Sequence, residues 1–258
     1  MEAIICSRIP ELEAMKRYPE TLYYKGSIEL LSSPKISIVG TRRPSPYTRA
    51  MTYELSKKLS HAGVVIVSGA AAGVDTLAHE GAGAAHTIAV MPCGIRHRYP
   101  RSNSAMIENI EKNGLVLSQF DPDFSATHWS FVIRNEIVVA LGEALIVTEA
   151  DMGSGSMRSV EYALEMNKPI YVLPHRVRES EATRLLVREG KAIAIDDIDT
   201  FVAVMSQKGR NGVEDTPFLA YCRNNPTYDE VVGKFPSEFF EAELNGMIEV
   251  RNGRVSVV

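Results

Sequence analysis

A chain of 258 residues that is 45% hydrophobic and 23% charged has the composition of a soluble globular protein, with length for one large domain and a small companion. No apolar run approaches the roughly 18 residues of a membrane span, and residues 1–8 lack the basic-then-apolar order of a secretory signal. Cys6, Cys93 and Cys222 are far apart, at no spacing that fits a zinc site or a disulfide framework, which points to a reducing cytoplasm.

The net charge of −4 is unevenly placed: residues 213–258 carry eight acids against four bases, so the remainder balances at zero. An acidic total does not exclude nucleic acid, because a local basic surface is enough to release counterions.

Taken in order, residues 1–34 read as a small helical preface. A helix is expected over 10–17 and a short extended piece with a turn over 22–26, together covering one edge of the main domain. From Lys35 the pattern alternates. A β-forming run at 36–39 stops at Gly40, and Pro44 and Pro46 delay the next helix, whose apolar face carries Met51, Leu55 and Leu59. Further apolar runs at 64–68, 87–91, 115–118, 144–148, 169–173 and 192–195 are separated by expected helices, among them 103–113, 131–141 and 180–189. Short strands that are apolar almost throughout and alternate with helices imply a parallel sheet covered on both faces. The expected fold is therefore a Rossmann-like, doubly wound α/β domain over 35–205.

Ligands of such sheets bind where strand C-termini meet helix N-termini. Three small-residue loops fall there, at 40–46, 68–75 and 152–156. None is a dinucleotide fingerprint or a P-loop, so neither NAD nor ATP is expected as a dedicated cofactor. The first loop adds Arg42, Arg43 and Arg49 with no intervening acid, a combination that suits phosphate at a helix N-terminus. Ser154, Gly155 and Ser156 open another helix, where they can hold a phosphate or simply cap. Arg134 and Asn135 lie early in a helix, where a cation is mildly unfavourable; Arg134 therefore reads as serving a ligand, or else a carboxylate such as Glu136 or Glu149. Residues 94–101 hold Arg96, Arg98 and Arg101 with Tyr99 and could extend a basic groove or lie solvated. Asp75 and His79, four apart on one helix, could form an acid–base pair but read better as capping and packing residues, since Asp75 sits at a helix start. No triad, nucleophile elbow or metal spacing emerges, so no catalytic set is expected.

After a polar linker at 206–212, residues 213–258 show three short helical stretches and two β-prone runs flanking Asn252 and Gly253, a strong hairpin signal. That is the pattern of a winged helix. Its expected recognition helix carries Glu238, Glu241 and Glu243 and no base, which favours protein contact or dimerisation over DNA.

Together these pieces resemble the DNA-processing protein A family (DprA, also called Smf). The residues that carry the likeness are Ile38 to Arg42 with Ser45 and Tyr47; Val67, Ser68 and Gly69 through Gly73, Val74 and Asp75 with Ala78 and His79; Thr87 to Val90 with Cys93, Gly94, Tyr99, Pro100 and Asn103; Phe131 with Arg134 and Asn135; and Glu149 and Ala150 with Ser154 to Ser156.

The resemblance implies an extended Rossmann-like domain that binds single-stranded DNA and helps load the RecA recombinase during natural transformation, as a mediator and homodimer rather than an enzyme. By family pattern the DNA site would comprise Gly40, Thr41, Arg42, Arg43, Ser68, Gly69, Arg134, Asn135, Ser154, Gly155 and Ser156. Phosphates would meet Arg42, Arg43 and Arg134, and bases would stack on Phe131 or Tyr99. The chain departs from the pattern at Thr41, Thr48, Ala72, Glu136 and His175.

A competing class is a nucleotide phosphoribohydrolase resembling the "lonely guy" group, but Ser159 stands where its glutamate belongs and Glu161 lies two residues late. A third is a nucleotide-sensing module without a DNA role.

Overall fold

The computed structural model describes residues 3–210, 217–222, 226–244, 248–251 and 253–257. The chain divides into two compact units, Met1–Gly209 and Arg210–Val258.

The large unit is built on a nine-stranded sheet. Its strands are β1 (Ala3–Ile4), β2 (Tyr23–Gly26), β3 (Lys35–Val39), β4 (Val65–Ser68), β5 (Thr87–Val90), β6 (Leu115–Ser118), β7 (Leu145–Val147), β8 (Ile170–Val172) and β9 (Ile193–Ala194). Their order is β1-β2-β6-β5-β4-β3-β7-β8-β9. Strands β3 to β9 run parallel, and β2 joins β6 antiparallel with Tyr23 opposite Ser118. The sheet is thus mixed. The segment expected as a helical preface supplies two strands to its edge, and the helix expected over 10–17 is a 3-10 turn, Pro10–Ala14.

The helices that follow the strands are α1 (Pro46–His61), α2 (Val74–Ala82), α3 (Ser104–Asn113), α4 (His128–Leu141), α5 (Gly155–Glu165), α6 (Glu181–Arg188) and α7 (Ile198–Arg210). Side-chain alternation along the strands divides the core in two. Val39, Val67, Val90, Leu117 and Val147 meet Ile137 and Val138 of α4 and Val160 of α5, whereas Ile36, Ile38, Ile66 and Ile146 meet Leu55 and Leu59 of α1, Val74 of α2 and Phe201 of α7. A third cluster seats Ile107 and Ile110 of α3 on Ala89 and Val116. Burying apolar side chains on both faces contributes about 25 cal/mol per Å² of surface removed from water. Helix α7 runs five residues into the segment expected as a linker; residues 211 and 212 lie outside those described.

Strand β3 is the first of the parallel strands in chain order. Strands β4, β5 and β6 lie in turn on one side of it and β7, β8 and β9 on the other. The winding therefore reverses between β3 and β7, and a crevice opens there above the strand C-termini.

The small unit contains α8 (Pro217–Cys222), α9 (Tyr228–Lys234), α10 (Pro236–Leu244) and the antiparallel pair β10 (Ile248–Arg251) and β11 (Arg254–Val257). Phe218, Cys222, Val231, Phe239, Ile248 and Val255 form its core. Asn252, half of the expected hairpin turn, lies outside the described residues. Glu238, Glu241 and Glu243 of α10 are exposed, as their spacing about buried Phe239 and Ala242 requires.

Candidate functional site

The loop between β3 and α1 is anchored rather than free. The Thr41 N–H donates to the Glu149 carbonyl at 2.9 Å, and the Ser45 N–H donates to the Glu149 carboxylate at 3.0 Å. Glu149 thereby ties this loop to the one after β7 across the crevice. Gly40 and Gly73 let the neighbouring loop close in. A Cβ on Gly40 would lie 2.6 Å from Val74, and one on Gly73, whose φ is +88°, would lie 2.5 Å from the Thr41 carbonyl oxygen.

So held, the loop presents Arg42 and Arg43 outward. Both are exposed, and neither has an ion-pair partner among the described residues. The Arg42 guanidinium lies over the Phe131 ring, 5.4 Å from its centroid, and Phe131 meets Tyr99 edge-on at 5.5 Å.

Arg134 also lies by that ring, 6.0 Å from its centroid, and is only 3% exposed. Its Nη1 donates to the carbonyls of Gly69 and, at 2.7 Å, Val90, while Nε reaches Asn135 Oδ1 at 3.1 Å. It therefore pins the C-terminal ends of β4 and β5, and Glu136 and Glu149 are not its partners. Glu136 accepts from the Lys16 N–H instead. Burial lowers the Arg134 pKa to about 10, opposed by the nearby Asp75 carboxylate. Asp75, itself buried, has its pKa raised by desolvation against the pull of Arg134.

His79 completes this buried network. Its Nε2 accepts from the Ala70 N–H at 3.3 Å, so Nδ1 carries the proton and donates to Thr87 Oγ1 at 2.7 Å; that hydroxyl donates to the Ile66 carbonyl. Burial drives the His79 pKa down to about 3, with the Arg134 cation adding to the effect, so the ring is neutral.

The other expected site residues separate by depth. Ser68 is buried, and its hydroxyl donates to the Ile38 carbonyl at 2.7 Å. Gly69 is buried against Arg134, leaving 2.5 Å between a built Cβ and the guanidinium carbon. Ser68, Gly69 and Arg134 are thus buried at and just beyond the C-terminal ends of β4 and β5, with the Ser68 hydroxyl and the Arg134 guanidinium already held by backbone carbonyls. Ser154, Gly155 and Ser156 do open α5. The N–H groups of Gly155 and Ser156 find no acceptor among the described residues, and Ser154 Oγ is buried without a partner. That helix start carries partial positive charge and a spare hydroxyl.

The basic stretch at 94–101 is not uniformly basic in space. Arg96 pairs with Asp123 at 2.7 Å, and Arg98 with Glu111 at 2.7 Å and Glu108 at 3.4 Å. Arg101 is exposed, with no ion pair among the described residues. Sequence alone groups the three arginines and misses this sorting, because the acids come from other elements.

Cys6, Cys93 and Cys222 are free thiols, and no group of three or more His, Cys, Asp or Glu converges among the described residues. No helix there is long and apolar enough to cross a membrane.

A family model for DNA recombination-mediator protein A matches residues 7–206. The DNA processing protein DprA of Bacillus subtilis is 35% identical over 181 residues, 68% of this chain and 61% of that one. The chain spans only about 61–65% of the length of its Bacillus subtilis and Streptococcus pneumoniae relatives. Among solved structures, DNA processing protein A of Helicobacter pylori, described with its single-stranded DNA binding mode, superposes with a TM-score of 0.79 at 38% identity; the match covers 81% of this chain and 97% of that one. The Streptococcus pneumoniae protein gives a TM-score of 0.73 at 31% identity, covering 79% and 73%.

Proposed function

The chain belongs to the DNA recombination-mediator protein A family, and from that premise we propose that it binds single-stranded DNA along the C-terminal edge of its sheet and passes it to a RecA-type recombinase during natural transformation. The observation that carries the reading is Arg42, exposed and without an ion pair among the described residues, set over Phe131, which in turn meets Tyr99. A cation beside aromatic rings serves a strand whose bases are free to stack, and a duplex hides those faces. The solved Helicobacter pylori relative and its single-strand binding mode support the assignment.

In this reading Arg42, Arg43 and Arg101 neutralise phosphates, the open N–H groups of Gly155 and Ser156 take another, and Phe131 or Tyr99 stacks a base. Gly40 and Thr41 position the loop. Ser68, Gly69, Arg134 and Asn135 act from below, holding the strand ends and the Phe131 ring. We assign no catalytic step and no cofactor, and we assign the cytoplasm on the strength of three unpaired thiols. A homodimer would offer one strand two such grooves. The exposed glutamates of α10 favour a protein partner for the small unit over DNA.

The phosphoribohydrolase alternative finds no support. Ser159, at the position of the required carboxylate, is buried, and Glu161 is exposed and paired with Arg158 at 2.6 Å.

Fluorescence anisotropy with labelled single-stranded and duplex oligonucleotides over a salt series tests the proposal. Tighter single-strand binding that weakens with salt, with a slope shallower by about 0.7 in Arg42→Ala, supports it. Absence of single-strand binding at low salt overturns it.

A further inference from the structure

A cavity of about 520 Å³ opens between the β3–α1 loop and the segment after β8, lined among others by Ser45, Tyr47, His175, Arg176 and Glu179. We propose that this cleft is a second nucleotide subsite, in which a base packs on Tyr47 and His175 and its phosphate meets Arg176; the inference rests on the single-strand reading.

The volume falls in the range of small-molecule pockets, about 300–1,000 Å³. Its two rings are fixed. His175 Nε2 donates to the Thr148 carbonyl at 2.7 Å, which leaves Nδ1 as an acceptor, and Tyr47 meets the imidazole edge-on with centroids 5.6 Å apart and planes at 84°. Perpendicular rings form a corner. A flat heterocycle can stack on the open face of Tyr47, which is 42% exposed, while its edge meets the imidazole.

The charges sort around that corner. Arg176 is exposed, with no ion pair among the described residues, and the Tyr47 N–H at the start of α1 has no acceptor there. Both favour a phosphate. Glu179 on the same rim repels phosphate but accepts from an exocyclic amino group, so cytosine, adenine and guanine fit better than thymine.

The subsite extends the path that Arg42 and Arg43 begin. Ser45 and Tyr47 come a few residues after those arginines at the same strand-to-helix junction, which puts the cleft within reach of a strand held at Arg42. The same base-plus-phosphate chemistry could also arrive as a free mononucleotide.

The test is anisotropy with labelled oligo-dC and oligo-dT on wild type, Tyr47→Leu, Arg176→Gln, Glu179→Gln and Arg42→Ala, alongside saturation-transfer NMR with CMP. Tyr47→Leu is expected to weaken oligo-dC binding about tenfold. Arg176→Gln is expected to lower the salt slope by about 0.7, and Glu179→Gln to erase a preference for dC over dT. If Arg42→Ala weakens binding while Tyr47→Leu and Arg176→Gln match wild type, the subsite is overturned and the single-strand reading stands. A CMP signal that Tyr47→Leu abolishes, with oligonucleotide binding unchanged, assigns the cleft to a free nucleotide and overturns its place on the strand path. If wild type binds no strand, the single-strand reading fails, and with it the strand path; CMP then decides the cleft alone.

Discussion

Two arginines flank one phenylalanine. Arg42 and Arg134 lie at similar distances from the Phe131 ring, 5.4 and 6.0 Å, yet one is exposed with no ion pair among the described residues and the other is buried with two carbonyls on its guanidinium. An arginine's place near an aromatic therefore says little about its task; what its N–H groups already hold says more. The Arg42 guanidinium faces solvent and can turn its donors to a ligand, whereas those of Arg134 are committed to the sheet.

The largest effect is expected at Arg134. In Arg134→Ala the Gly69 and Val90 carbonyls lose their donor and Asp75 loses its nearby cation, a change expected to cost about 3–5 kcal/mol of stability. Arg42→Ala should leave the thermal midpoint within about 1 °C of wild type while weakening strand binding, and equal melting losses for the two would collapse the distinction.

Phe131→Ala removes the ring that both arginines share. We expect single-strand affinity to fall by about 1–3 kcal/mol, read by anisotropy, because the stacking surface is gone. Gly69→Ala probes the buried arginine from beneath. Its Cβ would press on the Arg134 guanidinium, and about 1–3 kcal/mol of destabilisation in chemical denaturation is expected.

The smallest effect is in pH. His79 has a folded pKa near 3, below its ordinary 6.5, so the unfolded chain takes up its proton first as pH falls. The contribution of His79 to stability is full above about pH 6.5 and declines below it. From pH 7 to 5.5 the loss should be about 1 kcal/mol. Denaturant titrations of His79→Gln should lack that part of the decline, and an unchanged pH profile would place the ring in solvent.

Much of this fold is written locally. Runs such as 36–39, 87–90 and 115–118 are short, apolar and β-forming, and Gly40, Pro44 and Pro46 set the first helix start. Strand β2 is harder to see as part of the sheet, because Tyr23–Gly26 is half polar and is held there by pairing with β6, some ninety residues on. The site shows the same divide. The outward arginines follow from a loop sequence free of acids. The burial of Arg134 depends on carbonyls 65 and 44 residues away, and the neutralisation of Arg96 on Asp123, 27 residues on. Periodicity carries no signal for such pairings.

The sheet ends on two-residue strands on both sides, Ala3–Ile4 and Ile193–Ala194. An edge that short offers an incoming chain only a few backbone hydrogen bonds, too few to template a continuous intermolecular sheet. This edge can thus expose Ile193 at 61% without inviting fibril-like stacking through the nine-stranded sheet.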